Sequence, residues 1–193
     1  MTLKGKRIGF ALTGSFCTLA EALVQMQAMA DEGAEIQPIL SYHVQQLDTR
    51  FFTREALNAA IRIITDRSIW TSIPEVEPIG PKKLLDLLVV APCTGNSLAK
   101  LVHGITDTPV LMAAKAQLRN QRPLVLAVCT NDGLAINGHN IGAAGALRGV
   151  YVTPYRQDDP IGKPASLVAC MEQLIPTCQA ALDGEQLQPI LRG

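Results

Sequence analysis

Short apolar runs recur along this chain, and between them lie segments whose apolar residues return every three or four positions. The runs are Arg7 to Leu12, Ile36 to Leu40, Leu84 to Val90, Leu124 to Val128 and the shorter Val150 to Thr153. A run apolar on both sides of its pleat belongs to a strand covered on both faces. Between the first two runs, Leu19, Leu23, Met26 and Ala30 form a helical stripe, and Gly33 stands where such a helix would end. A second stripe, Leu57, Ala60, Ile61 and Ile64, follows the N-cap candidate Thr53. Alternation of this kind predicts an α/β fold, a single-domain, three-layer, doubly wound parallel sheet of the flavodoxin-like or Rossmann-like type. Further helices are expected from near Asn96, over Val110 to Asn120, and over Ser166 to Ala181 with a kink at Pro176. The proline-rich stretch Ile73 to Pro81 reads as loop, and the glycine cluster from Gly133 to Gly149 as loop plus a small-residue helix.

With 193 residues the chain suits one domain with its own core. Seventeen basic residues balance seventeen acidic ones, so no electropositive field exists to attract nucleic acid or an anionic membrane. The most apolar run, Leu84 to Pro92, is too short to span a bilayer and contains Asp86. Five cysteines without a C-x-x-C pair argue against a disulfide framework and for the cytoplasm. A neutral, apolar-rich chain is also compatible with self-association.

Ligands of open parallel sheets bind beyond the carboxyl ends of the strands. Four segments fall there: Thr13-Gly14-Ser15, Ser41-Tyr42-His43, Pro92-Cys93-Thr94-Gly95-Asn96-Ser97 and Cys129-Thr130-Asn131. They are small, carry hydroxyls or amides and have almost no charge, which suits an anion held at helix N-termini or a flat ring close to backbone. Each alone also reads as an ordinary cap or turn; four at one edge favour a site. Neither G-x-x-x-x-G-K-[ST] nor G-x-G-x-x-G occurs, so the common phosphate and dinucleotide loops are excluded. His43, His103 and His139 show no metal spacing, and Ser15 and Ser97 lack a nucleophile elbow, so no metal site and no hydrolase are expected. Cys93 precedes a helix start, a setting that lowers a thiol's pKa, but a buried cysteine there is more often core packing, which is the favoured reading.

The run Ala91 to Lys100, continuing to Gly104-Ile105-Thr106-Asp107, resembles the P-A-S-A-N-T…A-K…G-I-A-D signature of the FMN-binding flavoprotein family of cysteine decarboxylases and flavin prenyltransferases. Thr13-Gly14-Ser15, Ser41, Pro123 to Cys129, Asn131 and Asn140 extend the resemblance over nearly the whole chain. It implies that Thr13, Gly14 and Ser15 meet FMN or its phosphate and that Ser41 is a phosphate-side hydroxyl. Pro92, Thr94, Asn96 and Ser97 correspond to the central motif, and Asn131 to the retained asparagine of a P-x-M-N segment. The decarboxylases' catalytic histidine falls near Gln46, with His43 out of register, and the prenyltransferases' arginine–glutamate pair falls at Cys129 and Thr130.

Gly9 to Cys17, Ala91 to Asp107 and Ala127 to Leu134 resemble most closely a branch of that family found in spore-forming bacteria. Its members act as the B subunit of an oxidoreductase that aromatises a dihydropyridine dicarboxylate in the mother-cell cytoplasm. That implies an A subunit carrying NAD or NADP, a small dicarboxylate substrate, possession of FMN, and trimer-based homo-oligomers. A binding subunit without catalysis, or an FMN-dependent decarboxylase or prenyltransferase acting alone, are the alternatives. Carboxylates call for arginine; Arg148 and Arg156, which flank the last predicted strand, are candidate substrate residues, with His43 at the end of the second strand.

Overall fold

The structure, a computed structural model, describes residues 2–193. In chain order it runs β1 (Arg7–Leu12), α1 (Leu19–Asp31), β2 (Glu35–Leu40), α2 (Tyr42–Gln46), α3 (Arg54–Thr65), α4 (Ile73–Val76), α5 (Ile79–Lys82), β3 (Leu87–Cys93), α6 (Gly95–Val102), α7 (Pro109–Arg119), β4 (Leu124–Thr130), α8 (Gly138–Gly145), β5 (Val150–Val152), β6 (Tyr155–Asp159), β7 (Lys163–Ala169) and α9 (Leu174–Leu182). Strands β2-β1-β3-β4-β5 pair in parallel, the doubly wound order in which the chain reverses direction between β1 and β3.

Alternation along the strands divides the core into two layers. Ile8, Phe10 and Leu12 of β1, Leu87 and Val89 of β3, and Val125 and Ala127 of β4 face one cluster with α1 and α9. Leu88 and Val90 of β3 and Leu124, Leu126 and Val128 of β4 face the other, with α7. The β3–β4 register shifts between Val90 and Cys93, around the cis Ala91–Pro92 bond. As a result Cys93 joins the second cluster although Ala91, two residues earlier, lies in the first. The shift turns the chain at the point where β3 opens into the Thr94–Ser97 segment.

Three expectations need correction. The segment from Ile73 to Pro81 is not loop: Ser72 and Glu75 form a capping box for α4, with Pro74 in the first turn, where its missing N–H costs no bond. Residues from Ser166 are not helical; Ser166 lies in β7, and α9 begins only at Leu174. Pro176 therefore sits in the first turn of α9 and does not kink it. Finally, the sheet is mixed. β6 and β7 form an antiparallel hairpin, and β7 pairs with only the last two residues of β4, Cys129 opposite Val168 and Thr130 opposite Leu167. Strand β4 thus forks, its first half bound to β5 and its end to the hairpin. The polar composition of β6, Tyr-Arg-Gln-Asp-Asp, hides this strand from an apolar pattern.

At the edge opposite the candidate site, Asp86 ties the strand entries together. Arg7 donates to it from Nη2 at 2.9 Å and from its backbone N–H at 3.0 Å, and Arg122 Nη1 lies 3.0 Å away; Arg122 also donates to the Leu85 carbonyl. Burial pushes the Asp86 carboxyl up, but the hydrogen bonds from Arg7 and the charges of Arg7 and Arg122 outweigh it and hold the pKa below the usual carboxylate range. A lowered native pKa contributes stability above the unfolded value of about 3.9, and that contribution disappears as pH falls through the native value. The difference in urea midpoint between wild type and Asp86→Asn should accordingly be largest near neutrality and shrink steadily below pH ~4. A difference independent of pH would contradict the charge pairing. No helix among the described residues is long and apolar enough to cross a membrane.

Candidate functional site

The carboxyl ends of β1, β3 and β4 open onto one cleft, and a buried threonine joins two of them. Thr13 Oγ1 donates to the Pro92 carbonyl at 2.7 Å and accepts from the Thr94 N–H at 3.0 Å. The loop after β1 is thereby fixed against the loop after β3. Thr94 in turn N-caps α6, accepting from the Ser97 N–H at 3.2 Å, and its hydroxyl lies 3.0 Å from Ser97 Oγ. The first N–H groups of α6 have no helical acceptor and face the cleft with the positive end of the helix dipole.

The cleft has two lobes that share Gly14, Phe16, Thr94 and Asn96. The smaller, about 450 Å³, is lined by Thr13, Ser41, His43, Ser97 and Lys100 among others. Here the Ser41 hydroxyl is buried and has no hydrogen-bond partner, while its N–H donates to the Leu12 carbonyl at 3.1 Å. An unpaired buried hydroxyl is costly unless a ligand completes it. The Lys100 ammonium lies 2.6 Å from Asp107.

The larger lobe, about 830 Å³, lies between the ends of β1, β3 and β4 and the β6–β7 hairpin, and takes in Ser15 and Asn131. Along its wall runs a polar network. Thr130 Oγ1 donates to Asp132 at 2.5 Å, and Asn137 Nδ2 reaches both carboxylate oxygens at 2.9 and 2.8 Å. Asn140 Nδ2 donates to Asn137 Oδ1 at 2.8 Å. Gly95 packs directly against this network: a Cβ there would sit 2.5 Å from both Asn137 Nδ2 and Thr130 Oγ1, so only glycine lets α6 start so close.

Of the residues expected from sequence, Thr13, Gly14, Ser15, Ser41, His43, Thr94, Asn96, Ser97 and Asn131 line one lobe or the other. Pro92 contributes its carbonyl to Thr13 from behind the wall. Arg148 lies just before the amino end of β5, at the edge of the sheet away from the cleft. Arg156 is exposed on β6, opposite Val168, and does not line either lobe. Flanking a strand in sequence places a residue at either edge of a parallel sheet, and only the carboxyl edge carries the cleft. Cys93 packs in the core, as its favoured reading expected: it is buried, and burial pushes its thiol up. Burial likewise raises Cys129, to about 11, so neither is a thiolate nucleophile near neutral pH. Sequence reasoning did not point to Arg50, Asp132, Asn137 or the hairpin's Asp158 and Lys163, all of which line the larger lobe.

These residues fit FMN. A buried unpaired hydroxyl and the amino end of α6 suit a phosphate, and the adjoining larger lobe, about 830 Å³, has room for a flat ring. Among the described residues no cluster of histidine, cysteine or acidic side chains could hold a metal.

The sequence matches the Flavoprotein family over residues 1–143. It is 46% identical over 190 residues to the B subunit of dipicolinate synthase of Bacillus subtilis (strain 168), covering 98% of this chain and 95% of that one. The crystal structure of the dipicolinate synthase B subunit from Bacillus halodurans superposes with a TM-score of 0.92 at 46% identity, covering 100% of this chain and 99% of that one. At 22% identity, a dodecameric FMN-dependent UbiX-like decarboxylase from Escherichia coli O157:H7 shares the fold, with a TM-score of 0.63 over 77% of this chain and 79% of that one. This chain therefore belongs to the flavoprotein family, in the branch formed by the B subunits of dipicolinate synthase.

Proposed function

We propose that the chain works as the B subunit of a dipicolinate synthase. With a dipicolinate synthase A subunit that supplies NAD or NADP, it oxidises dihydrodipicolinate to dipicolinate, pyridine-2,6-dicarboxylate, in the cytoplasm of a sporulating mother cell. The observation that carries this reading is 46% identity over 98% of the chain, a span that includes every wall of the cleft. Bound FMN would supply a two-electron acceptor for the ring. The chain's own residues then have definite tasks. Ser41 and the amino end of α6 hold a phosphate, Thr13 keeps the two loops in register, and the larger lobe orients a small dicarboxylate beside the ring and excludes water. Five cysteines without a disulfide accord with a reducing compartment, and the dodecameric relative supports a homo-oligomer built from trimers.

A second reading has its own support: this chain holds and presents substrate while the A subunit performs the chemistry. The carboxylates at the larger lobe are engaged, Asp158 with Lys163 at 2.7 Å and Asp132 through three hydrogen bonds from the Thr130 hydroxyl and the Asn137 amide. Cys129 is pushed up to about 11. The lobe thus offers donors for binding, while its two carboxylates and the Cys129 thiol are already committed or held protonated near pH 7.

Visible absorbance after adding FMN and desalting separates the two. A retained flavin band that Ser41→Ala reduces about tenfold, the effect of roughly one lost hydrogen bond to a charged group, supports a working flavin site. A colourless protein that still makes dipicolinate with its A subunit supports the second reading. No dipicolinate from the mixture under any condition would sink both.

A further inference from the structure

We propose that Arg50 is the carboxylate-binding residue of the larger lobe, taking one end of a small planar dicarboxylate; the assignment rests on the functional reading above. Four charged side chains line this lobe: Arg50, Asp132, Asp158 and Lys163. Lys163 and Asp158 neutralise each other at 2.7 Å. Asp132 is held by the hydroxyl of Thr130 and the amide of Asn137. Arg50 alone has no acidic partner among the described residues; its guanidinium carbon instead stacks 4.8 Å from the centre of the Phe51 ring.

The loop that carries Arg50 is built to hold a position. Asp48 accepts from the Arg54 N–H at 2.7 Å and from Arg54 Nε at 3.1 Å, closing the loop onto the start of α3. Thr49 Oγ1 accepts from the N–H groups of Phe51 and Phe52 at 3.2 and 3.3 Å. Phe51, itself part of the lobe wall, then restricts the guanidinium by stacking. A planar fork with its donors unspent and its plane limited matches a carboxylate in two parallel hydrogen bonds. The other cations are committed or elsewhere: Arg54 to Asp48, Lys100 to Asp107 in the smaller lobe. Asp132 repels a second carboxylate from its part of the wall, so a dianion enters with one carboxylate on Arg50 and the ring toward Asn96 and Asn131.

The test titrates dipicolinate into the full chain mixed with its A subunit, comparing wild type with Arg50→Gln and Arg50→Lys. Removing a charged bidentate donor should weaken binding at least about tenfold, with partial recovery in the lysine variant. FMN retention should fall much less than dipicolinate affinity, because Arg50 does not line the lobe whose Ser41 hydroxyl would meet the phosphate. Equal affinity in wild type and Arg50→Gln, no binding by wild type, or a loss of FMN in place of dipicolinate would each overturn the assignment. Turnover by the same mixtures keeps the two claims apart. A mixture that makes no dipicolinate while Arg50→Gln still weakens binding tells against the function and for the assignment. An active mixture in which Arg50→Gln moves neither Kd nor KM does the reverse.

Discussion

Phe10→Ala should lower the free energy of unfolding by about 3–5 kcal/mol, the largest stability loss expected from a single truncation in this chain. Phe10 is fully buried at the centre of β1, with β2 on one side and β3 on the other. Its ring belongs to the cluster formed with α1 and α9. Truncation removes the transfer energy of the ring and leaves a cavity that backbone paired on both edges cannot close. A domain of this size is stable by only about 5–15 kcal/mol, so the variant should unfold at a markedly lower urea concentration with the slope of its transition unchanged. A loss below about 1.5 kcal/mol, the range of volume-conserving swaps, would mean that the core at β1 is far looser than this packing implies. The same strand delivers Thr13 to the cleft, so the variant should also lose ligand binding at temperatures close to its transition.

The legibility of the sequence followed the physics that wrote it. Buried parallel strands must be apolar on both faces, so β1, β2, β3 and β4 announced themselves, and Thr53, Thr94 and Thr108 stand as side-chain caps of α3, α6 and α7. The hairpin was hidden because β6 packs on one side only and spends its residues on Arg156, Asp158 and Asp159. Loops at the carboxyl edge could be found because their hydroxyls and glycines serve caps and close approaches. What a side chain lacks cannot be read from a string. The unpaired hydroxyl of Ser41 and the uncommitted charge of Arg50 are facts about neighbours. Arg148, Arg156 and Arg50 look alike in sequence; only tertiary placement shows that one of them faces the cleft without a carboxylate.

The second large effect belongs to Thr13→Val, which keeps the shape of a buried side chain and deletes one oxygen. That oxygen serves two groups at once, donating to the Pro92 carbonyl at 2.7 Å and accepting from the Thr94 N–H at 3.0 Å. Thr13 is 1% exposed, so water does not replace it at that position. Each stranded polar group costs about 1–3 kcal/mol, and the two together should remove about 2–6 kcal/mol of stability. The functional loss should be greater than the stability loss alone explains. Thr13 is the strap between the loop after β1, with Gly14 and Ser15, and the cap residue Thr94 of α6. Without it those loops can separate, and the donors at the amino end of α6 no longer point at one place. Thr13→Ser retains the oxygen and gives up only a methyl group, so it should keep most of the stability and retain ligand. Thermal melts and flavin retention on desalting, both measured well below the melting temperature of the valine variant, decide between the accounts. Loss of retention in the valine variant but not in the serine variant identifies the shared oxygen as the organiser of the cleft. Equal retention in both would show that the loops hold their places without it, through the packing of Cys93 and the shifted β3–β4 register alone.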